Sequence, residues 1–199
     1  MPRPRRSNRN PSNQDGQVRI IAGQYRGRKL PVRDLAGLRP TTDRVKETLF
    51  NWLQGEIPEA RVLDCFAGAG ALGFEALSRH AEQVILVELD KNAARQLEDN
   101  LARLGSNKGV VVQADVLQYL AGQAATPMDL VFVDPPFRKG LAEDCLRLLA
   151  ERGWLAEGAW IYLETESESP AQVPAGWRLH REIKAGQVLA RLYQRESQA

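Results

Sequence analysis

From Arg61 to Leu163 the chain repeats one unit: a short apolar run, a brief connection and a segment with helical periodicity. Val62-Leu63, Val84 to Val87, Val110 to Val112, Leu130 to Val133 and Trp160 to Leu163 read as strands, and a helical or turn segment follows each of the first four. Ala94, Leu97, Leu101 and Leu104 mark one helix, with Asp90 as its cap, and Leu141, Cys145, Leu148 and Leu149 mark another. Short apolar strands alternating with helices across short connections predict a parallel sheet covered on both faces. The pattern changes at the end, where Trp177 to Lys184 and Val188 to Gln194 flank Ala185-Gly186-Gln187 and read as an antiparallel hairpin that finishes the sheet.

Ahead of this unit the composition differs. Residues 1 to 15 carry Pro, Asn, Ser and Arg with almost nothing apolar, and are expected to be disordered or to order only on binding. Gln17 to Ala22 and Tyr25 to Val32 read as two short strands around Gly23-Gln24, with Arg26, Arg28 and Lys29 on the second. Residues 43 to 54 follow as a helix, with Val45, Leu49, Trp52 and Leu53 on one face and Thr41, Thr42 and Asp43 as cap candidates. The formal charge of +2 conceals an asymmetry: residues 1 to 46 hold twelve basic residues against three aspartates, a net of +9, so the remainder sums to −7. A basic arm on an acidic globule fits a polyanionic partner, because each phosphate neutralised releases counterions; a solvated tail is the alternative for residues 1 to 15.

In 199 residues with 43% hydrophobic content, one main core is expected. Cys65 and Cys145 are too few for a metal cluster or a disulfide framework, so no metal and a reducing cytoplasm are expected. No apolar run reaches the roughly 18 residues a membrane span needs, and Arg3, Arg5, Arg6 and Arg9 lead into no apolar stretch of the kind a secretory signal carries. His80 and His180 stand alone, without matching ligands or a nucleophilic partner, and the aromatic residues Trp154, Trp160, Trp177 and Tyr193 read as core.

Val62-Leu63-Asp64-Cys65-Phe66-Ala67-Gly68-Ala69-Gly70-Ala71-Leu72-Gly73 is a strand, a glycine turn and a helix start, and Gly68, Gly70 and Gly73 match G-x-G-x-x-G. That pattern alone fits a dinucleotide site or simply a tight turn. Asp64 separates the possibilities: a pyrophosphate disfavours a carboxylate beside it, whereas a cofactor carrying an ammonium and a sulfonium gains from one. S-adenosylmethionine is such a cofactor. Its ribose hydroxyls suit Glu88 at the end of the next strand, an acceptor-only carboxylate. Asp115, ending the third, either accepts from the adenine amino group while the Val116 N–H meets a ring nitrogen, or caps the helix that follows. With Asp134, four strand ends carry acids, on the side where open α/β sheets bind ligands.

Asp134-Pro135-Pro136-Phe137 follows the apolar run Met128 to Val133 directly. Two prolines fix φ and remove two donors, so the strand ends in a rigid extended segment that presents carbonyls, a carboxylate and an aromatic face together. A planar amino group on a nucleobase needs that set, with acceptors for its hydrogens and a ring on which the base stacks. Phe137 is the stacking candidate, with plain packing under a loop as its alternative. Arg138 and Lys139 either contact flanking phosphates or belong to a solvated loop.

These residues carry a family resemblance. Leu63 to Gly70, Val87-Glu88-Leu89-Asp90, Asp115 and Asp134 to Phe137 resemble the class I S-adenosylmethionine-dependent methyltransferases. Arg39-Pro40-Thr41-Thr42-Asp43-Arg44-Val45-Lys46-Glu47-Thr48-Leu49-Phe50-Asn51-Trp52-Leu53, preceded by Arg19 to Gly23 and Gly27 to Leu30, looks like the bacterial 16S rRNA guanine-N2 methyltransferases that modify guanine 966. The resemblance implies an α/β, Rossmann-like fold with a mostly parallel seven-stranded sheet, a C-terminal antiparallel hairpin and an N-terminal β-hairpin extension. It implies a basic tail over 1–16, an RNA-contacting hairpin over 17–38 and a methyltransferase domain over 39–199. Carried over by motif, Asp64, Ala67, Gly68 and Gly70 hold the methionine part of S-adenosylmethionine, Glu88 and Leu89 the ribose side, and Asp115 and Val116 the adenine. Arg39 and Thr41 close over the cofactor's carboxylate, and Asp134, Pro135, Pro136 and Phe137 hold the guanine. The implied partner is 16S rRNA in the small ribosomal subunit, met by Arg26, Arg28, Lys29, Arg138 and Lys139, with the enzyme acting as a monomer. Asp-Pro-Pro also occurs in DNA adenine-N6 methyltransferases, although 199 residues leave no long target-recognition segment. A non-catalytic RNA-binding protein with a vestigial cofactor pocket is the remaining alternative.

Overall fold

A computed structural model of the chain describes residues 16–32 and 43–197. The repeating unit folds as β3 (Arg61–Asp64), α2 (Ala71–Ser78), β4 (Gln83–Glu88), α3 (Lys91–Leu104), β5 (Gly109–Gln113), α4 (Val116–Gly122), β6 (Met128–Val133), α5 (Leu141–Glu151) and β7 (Leu155–Glu166). β8 (Trp177–Ala185) and β9 (Val188–Arg195) form the closing hairpin, while β1 (Gly16–Arg19), β2 (Lys29–Val32) and α1 (Asp43–Trp52) precede the unit. The main sheet has seven strands in the order β5-β4-β3-β6-β7-β9-β8, parallel through β7 and antiparallel beyond it. The expected architecture is therefore present, with the returning strand β9 beside β7 and β8 at the edge.

Alternate residues of each parallel strand enter opposite cores. Val62, Leu130, Phe132 and Tyr162 pack on one face with α1, α2 and α3, whereas Leu63, Val131, Val133 and Ile161 pack on the other with α4 and α5. At the centre of the first core the Phe132 ring lies 5.9 Å from Phe50 and 6.3 Å from Tyr162, all fully buried. Truncating such a ring costs about 3–5 kcal/mol. The second core encloses both free cysteines, Cys65 and Cys145, and Trp154, whose indole N–H donates to the Leu120 carbonyl at 3.0 Å. α3 is capped as expected: the Asp90 carboxylate accepts from the Asn92 and Ala93 amides, and Gly105 turns left-handed at the far end.

The N-terminal hairpin is shorter than its sequence pattern predicts. Gly16–Arg19 pairs antiparallel with Lys29–Val32, and residues 20–28 form a wide turn, so Arg26 and Arg28 sit in that turn and only Lys29 begins the strand. The cause is long-range. Glu75 of α2, fully buried, accepts from the Ile21 and Ala22 amides at 2.8 and 3.0 Å, and the Ser78 hydroxyl accepts from the Tyr25 amide while donating to the Ala22 carbonyl. Those amides are lost to strand pairing. Gly23, at φ 85°, passes so close that a Cβ there would lie 1.9 Å from the Ser78 carbonyl oxygen. Lys46 of α1 completes the joint, its ammonium donating to the Arg19 carbonyl at 2.7 Å and standing 3.9 Å from Glu75.

Candidate active site

Because β3 to β7 run parallel, their carboxyl ends share one edge. Asp64 ends β3, Glu88 ends β4, Asp115 lies two residues past β5, and Asp134 follows β6 at once. The chain winds outward from β3 through β4 to β5, then returns across them to β6 on the other side of β3. That reversal opens a crevice at the end of β3, the place where doubly wound sheets take their ligands. All four acids stand along that edge.

The glycine turn is fixed from both neighbouring strands: the Cys65 amide donates to the Phe132 carbonyl at 3.0 Å and the Ala67 amide to the Val87 carbonyl at 2.9 Å. The Gly68 amide donates to Glu88 Oε2 at 2.8 Å. Gly70 stands at φ 83° directly before α2, and a Cβ there would lie 2.3 Å from the Phe74 ring. Only glycine serves at that position.

Asp64 is 1% exposed, and its Oδ2 accepts from the Gly73 amide at 3.1 Å. Its Oδ1 is buried with no hydrogen-bond partner among the described residues. Burial pushes the carboxyl from its ordinary 3.8 up to about 7, with the Gly73 amide and, more weakly, the Phe66 amide opposing the rise and the Glu88 charge adding to it. A buried acceptor left open at a glycine turn is costly unless a donor reaches it from outside the chain.

Glu88 does more than the sequence reading assigns to it. Each of its oxygens takes one amide, from Gly68 and from Asp90 at 2.8 Å, so the side chain sets the turn and the entry to α3 while each oxygen keeps a further lone pair. Leu89 beside it is 65% exposed and offers an open apolar face at the lip, where its carbonyl accepts from Gln113 Nε2. Of the two readings of Asp115, the structure has the cap: Oδ1 accepts from the Gln118 amide at 3.0 Å, and Val116 is the first, buried residue of α4.

Beyond β6, Pro135 is buried, Pro136 exposed and Phe137 half-buried. Arg138 takes a left-handed φ of 60°, and its amide donates to the Glu166 carboxylate at the end of β7. Arg138 and Lys139 are exposed at this edge. Arg26, Arg28 and Lys29 are also exposed, but they lie elsewhere: the hairpin turn docks on the C-terminal ends of α2 and α3, where Arg28 donates to the Arg103 carbonyl at 2.7 Å. Arg39 and Thr41 lie outside the described residues.

Two residues at this edge escape a reading of the sequence by motif. Tyr162 and Glu164 near the end of β7 are buried, and the Tyr162 hydroxyl donates to Glu164 Oε2 at 2.9 Å. Their signal was available: Glu164-Thr165-Glu166 makes a fifth acidic strand end, by the rule that selects the other four.

The fold and this edge have close relatives. Ribosomal RNA small subunit methyltransferase D of Escherichia coli is 58% identical over 184 residues, covering 92% of each chain. The Haemophilus influenzae protein of the same name is 51% identical, covering 92% of this chain and 96% of its own. A solved E. coli structure, yhhF, superposes with a TM-score of 0.86 at 55% identity, covering 92% of this chain and all of that one. The archaeal tRNA m1G37 methyltransferase of M. jannaschii, at 14% identity and a TM-score of 0.61, shares the fold alone. The family model described as "Conserved hypothetical protein 95" matches residues 18–194. The chain therefore belongs to this family, whose curated relatives are the ribosomal RNA small subunit methyltransferases D.

Proposed function

We propose that the chain transfers a methyl group from S-adenosylmethionine to the exocyclic N2 of a guanine, guanine 966, in 16S rRNA of the small ribosomal subunit. Methylation of small-subunit rRNA is what the names of its 58% and 51% identical relatives state of those proteins. The observation that carries the cofactor is the open, buried Oδ1 of Asp64 at the switch point of the sheet. A cationic donor suits it, and the ammonium of S-adenosylmethionine is one. Bound there, the cofactor supplies a sulfonium methyl. Gly68 and Gly70 let the backbone approach it, Glu88 retains lone pairs for ribose hydroxyls, and the exposed Leu89 side chain gives the adenine an apolar neighbour. With Asp115 engaged as a cap through one oxygen, the adenine amino group is left to the other, and the Val116 amide to a ring nitrogen. Arg39 and Thr41, ahead of α1, close over the carboxylate.

On the substrate side, the Asp134 carboxylate and the Pro135 carbonyl accept the two N2 hydrogens, turning a delocalised lone pair toward the methyl carbon. Positioning of this kind contributes up to about 7–11 kcal/mol. Proton removal by a placed base adds about 10² to 10⁴ in rate. Phe137, half-buried at the mouth, stacks the flipped base, worth about 1–3 kcal/mol. Arg138 and Lys139 meet the adjoining phosphates. Arg26, Arg28 and Lys29 meet RNA farther off, since α3 separates the edge from the hairpin turn by about 20 Å at 1.5 Å per residue. The substrate is thus a structured RNA long enough to touch both places.

The test is methylation of small subunits lacking the modification with labelled S-adenosylmethionine, followed by mass spectrometry of their nucleosides. Label in N2-methylguanosine is expected; label only in duplex DNA, or none, overturns the reading. Asp134→Ala is expected to lower turnover by at least ~10² with cofactor affinity within about twofold of wild type. Equal loss of both would make Asp134 a cofactor ligand instead.

A further inference from the structure

Between β6 and α5 the chain crosses the ligand-side edge of the sheet in residues 134–140. Pro135 and Pro136 have no amide hydrogen to give, and from Pro136 to Gly140 every residue is exposed except the half-buried Phe137. Among the described residues, Phe137 packs against neither core. Phe137 and Arg138 form a tight turn, with Arg138 at φ 60°, a conformation that strains a residue with a Cβ and is usually left to glycine. Gly140, the last residue before α5, is left-handed as well, and a Cβ there would meet nothing within 4 Å. Packing therefore does not fix the turn from its α5 side.

A single side chain holds it instead. From Pro135 to Lys139, among the described residues, the one hydrogen bond that reaches another element is the bond the Arg138 amide gives to Glu166 Oε1. The acceptor is firmly mounted. Glu166 ends β7 and pairs with Val188 of β9; its carbonyl accepts from the Ser169 amide at 3.2 Å, and the Ser167 amide beside it reaches the Gln187 carbonyl at 2.8 Å. A carboxylate accepts from an amide more strongly than a neutral oxygen does, and here the amide belongs to the strained residue itself. Both ends of the crossing are fixed by β6 and α5, so a change of φ at Arg138 has to be compensated by its neighbours, Phe137 among them. We propose that Glu166 is a positioning residue for the substrate base: by holding the Arg138 amide it keeps the turn in the shape that presents the Phe137 ring at the mouth of the crevice. This rests on the reading of Phe137 as the stacking residue, and it explains how an exposed turn without glycine keeps that ring still. A ring placed beforehand spares the RNA the cost of ordering it. The glycine turn is tied to β4 and β6 by its own amides, so Glu166 acts on the RNA side alone.

The experiment is steady-state methyl transfer to unmodified small subunits, run as a double-mutant cycle between Glu166→Ala and Phe137→Ala, with calorimetric S-adenosylmethionine affinity and amide exchange measured beside it. Glu166→Ala is expected to lower kcat/KM for small subunits ~10-fold, mostly through KM, with cofactor affinity within about twofold of wild type. Exchange at the Arg138 amide should speed up in the same variant. Glu166→Gln keeps a carbonyl oxygen for that amide and is expected to stay within about threefold of wild type. On the Phe137→Ala background, Glu166→Ala should add less than about twofold, because the ring it positions is gone. Wild-type kcat/KM in Glu166→Ala, a Glu166→Gln as impaired as the alanine variant, a loss undiminished on the Phe137→Ala background, or a matching loss of cofactor affinity overturns the proposal. The underlying reading fails separately: wild-type kcat/KM in Phe137→Ala removes Phe137 as the stacking residue, whereas a slow Phe137→Ala beside an unaffected Glu166→Ala removes Glu166 alone.

Discussion

Asp64 and Glu75 are both carboxylates shut away from solvent, at 1% and 0% exposure, and both touch α2, one near its start and the other within it. They are treated in opposite ways. Glu75 is saturated, with the Ile21 and Ala22 amides, the Arg79 guanidinium at 2.9 Å and the Lys46 ammonium at 3.9 Å around it. Asp64 has the Gly73 amide and an open oxygen. Burial therefore does not distinguish a binding site from a structural joint here. Completeness of hydrogen bonding does: a filled carboxylate holds two pieces of chain together, and a half-filled one waits for a donor from outside.

The sharpest test of the filled side is Glu75→Ala. It strips the acceptor from two hairpin amides and leaves the buried Lys46 ammonium, already pushed down by desolvation, without its opposing charge. Removing one partner of such a buried set costs about 3–5 kcal/mol, which chemical denaturation will read as a lower midpoint. S-adenosylmethionine affinity of the folded fraction is expected to stay at wild type. A large loss of affinity without a loss of stability would erase the distinction between the two acids.

Asp64 should respond with the other sign. Its carboxyl titrates near 7 when folded against 3.8 when unfolded, so the folded chain holds the extra proton between those values. Its stability contribution is full below about pH 4 and is lost as pH rises through about 7, a fall of a few kcal/mol. Asp64→Asn is expected to flatten that limb of a stability-versus-pH curve and to leave the fold at least as stable as wild type at pH 8. The same substitution removes a charged acceptor worth about 1.5–3 kcal/mol to an ammonium, so cofactor affinity should drop ~10- to 100-fold. Affinity in the wild type should climb with pH up to about 7 and then level, because ligand and proton compete for one carboxylate. A destabilised Asp64→Asn with intact affinity would make Asp64 a structural residue like Glu75.

How much of this could be read from the amino-acid order follows the range of the interactions. The α3 cap at Asp90 bonds amides two and three residues on, and the strand–helix alternation is written in neighbouring residues, so both are legible. The four acids are legible too, because each stands next to an apolar run whose end can be seen. The hairpin boundaries are not: Ile20-Ile21-Ala22 and Tyr25 to Arg28 alternate like strands, and the Ile21, Ala22 and Tyr25 amides are claimed by Glu75 and Ser78 more than fifty residues away. β7 is twelve residues long where the pattern marks four, because Glu157 and Gly158 interrupt its apolar run and a register shift at Met128/Leu130 accommodates them. Glu164 stands directly after the marked run and is as legible as Asp134 by the same rule; what the pattern hides is that β7 runs on through it to Glu166.

The smallest expected effect bears on whether the two acids, which meet α2 only two residues apart at Gly73 and Glu75, act independently. Ser78 closes the α2 end of the joint, its hydroxyl donating to the Ala22 carbonyl at 2.6 Å and accepting from the Tyr25 amide at 3.0 Å. Ser78→Ala removes both bonds at a side chain shut away from solvent, so the expected cost is about 1–3 kcal/mol, that of leaving the Tyr25 amide and the Ala22 carbonyl short of a partner. A loosened hairpin turn should then show in hydrogen exchange at Ala22 to Arg28, with the Gly68 and Gly73 amides as protected as before. Cofactor affinity should not move, since the glycine turn is tied to β4 and β6 by the Ala67 and Cys65 amides and owes nothing to the hairpin. If Ser78→Ala instead weakened S-adenosylmethionine binding as Asp64→Asn does, α2 would be a lever joining the N-terminal hairpin to the glycine turn, and the two acids would belong to one device.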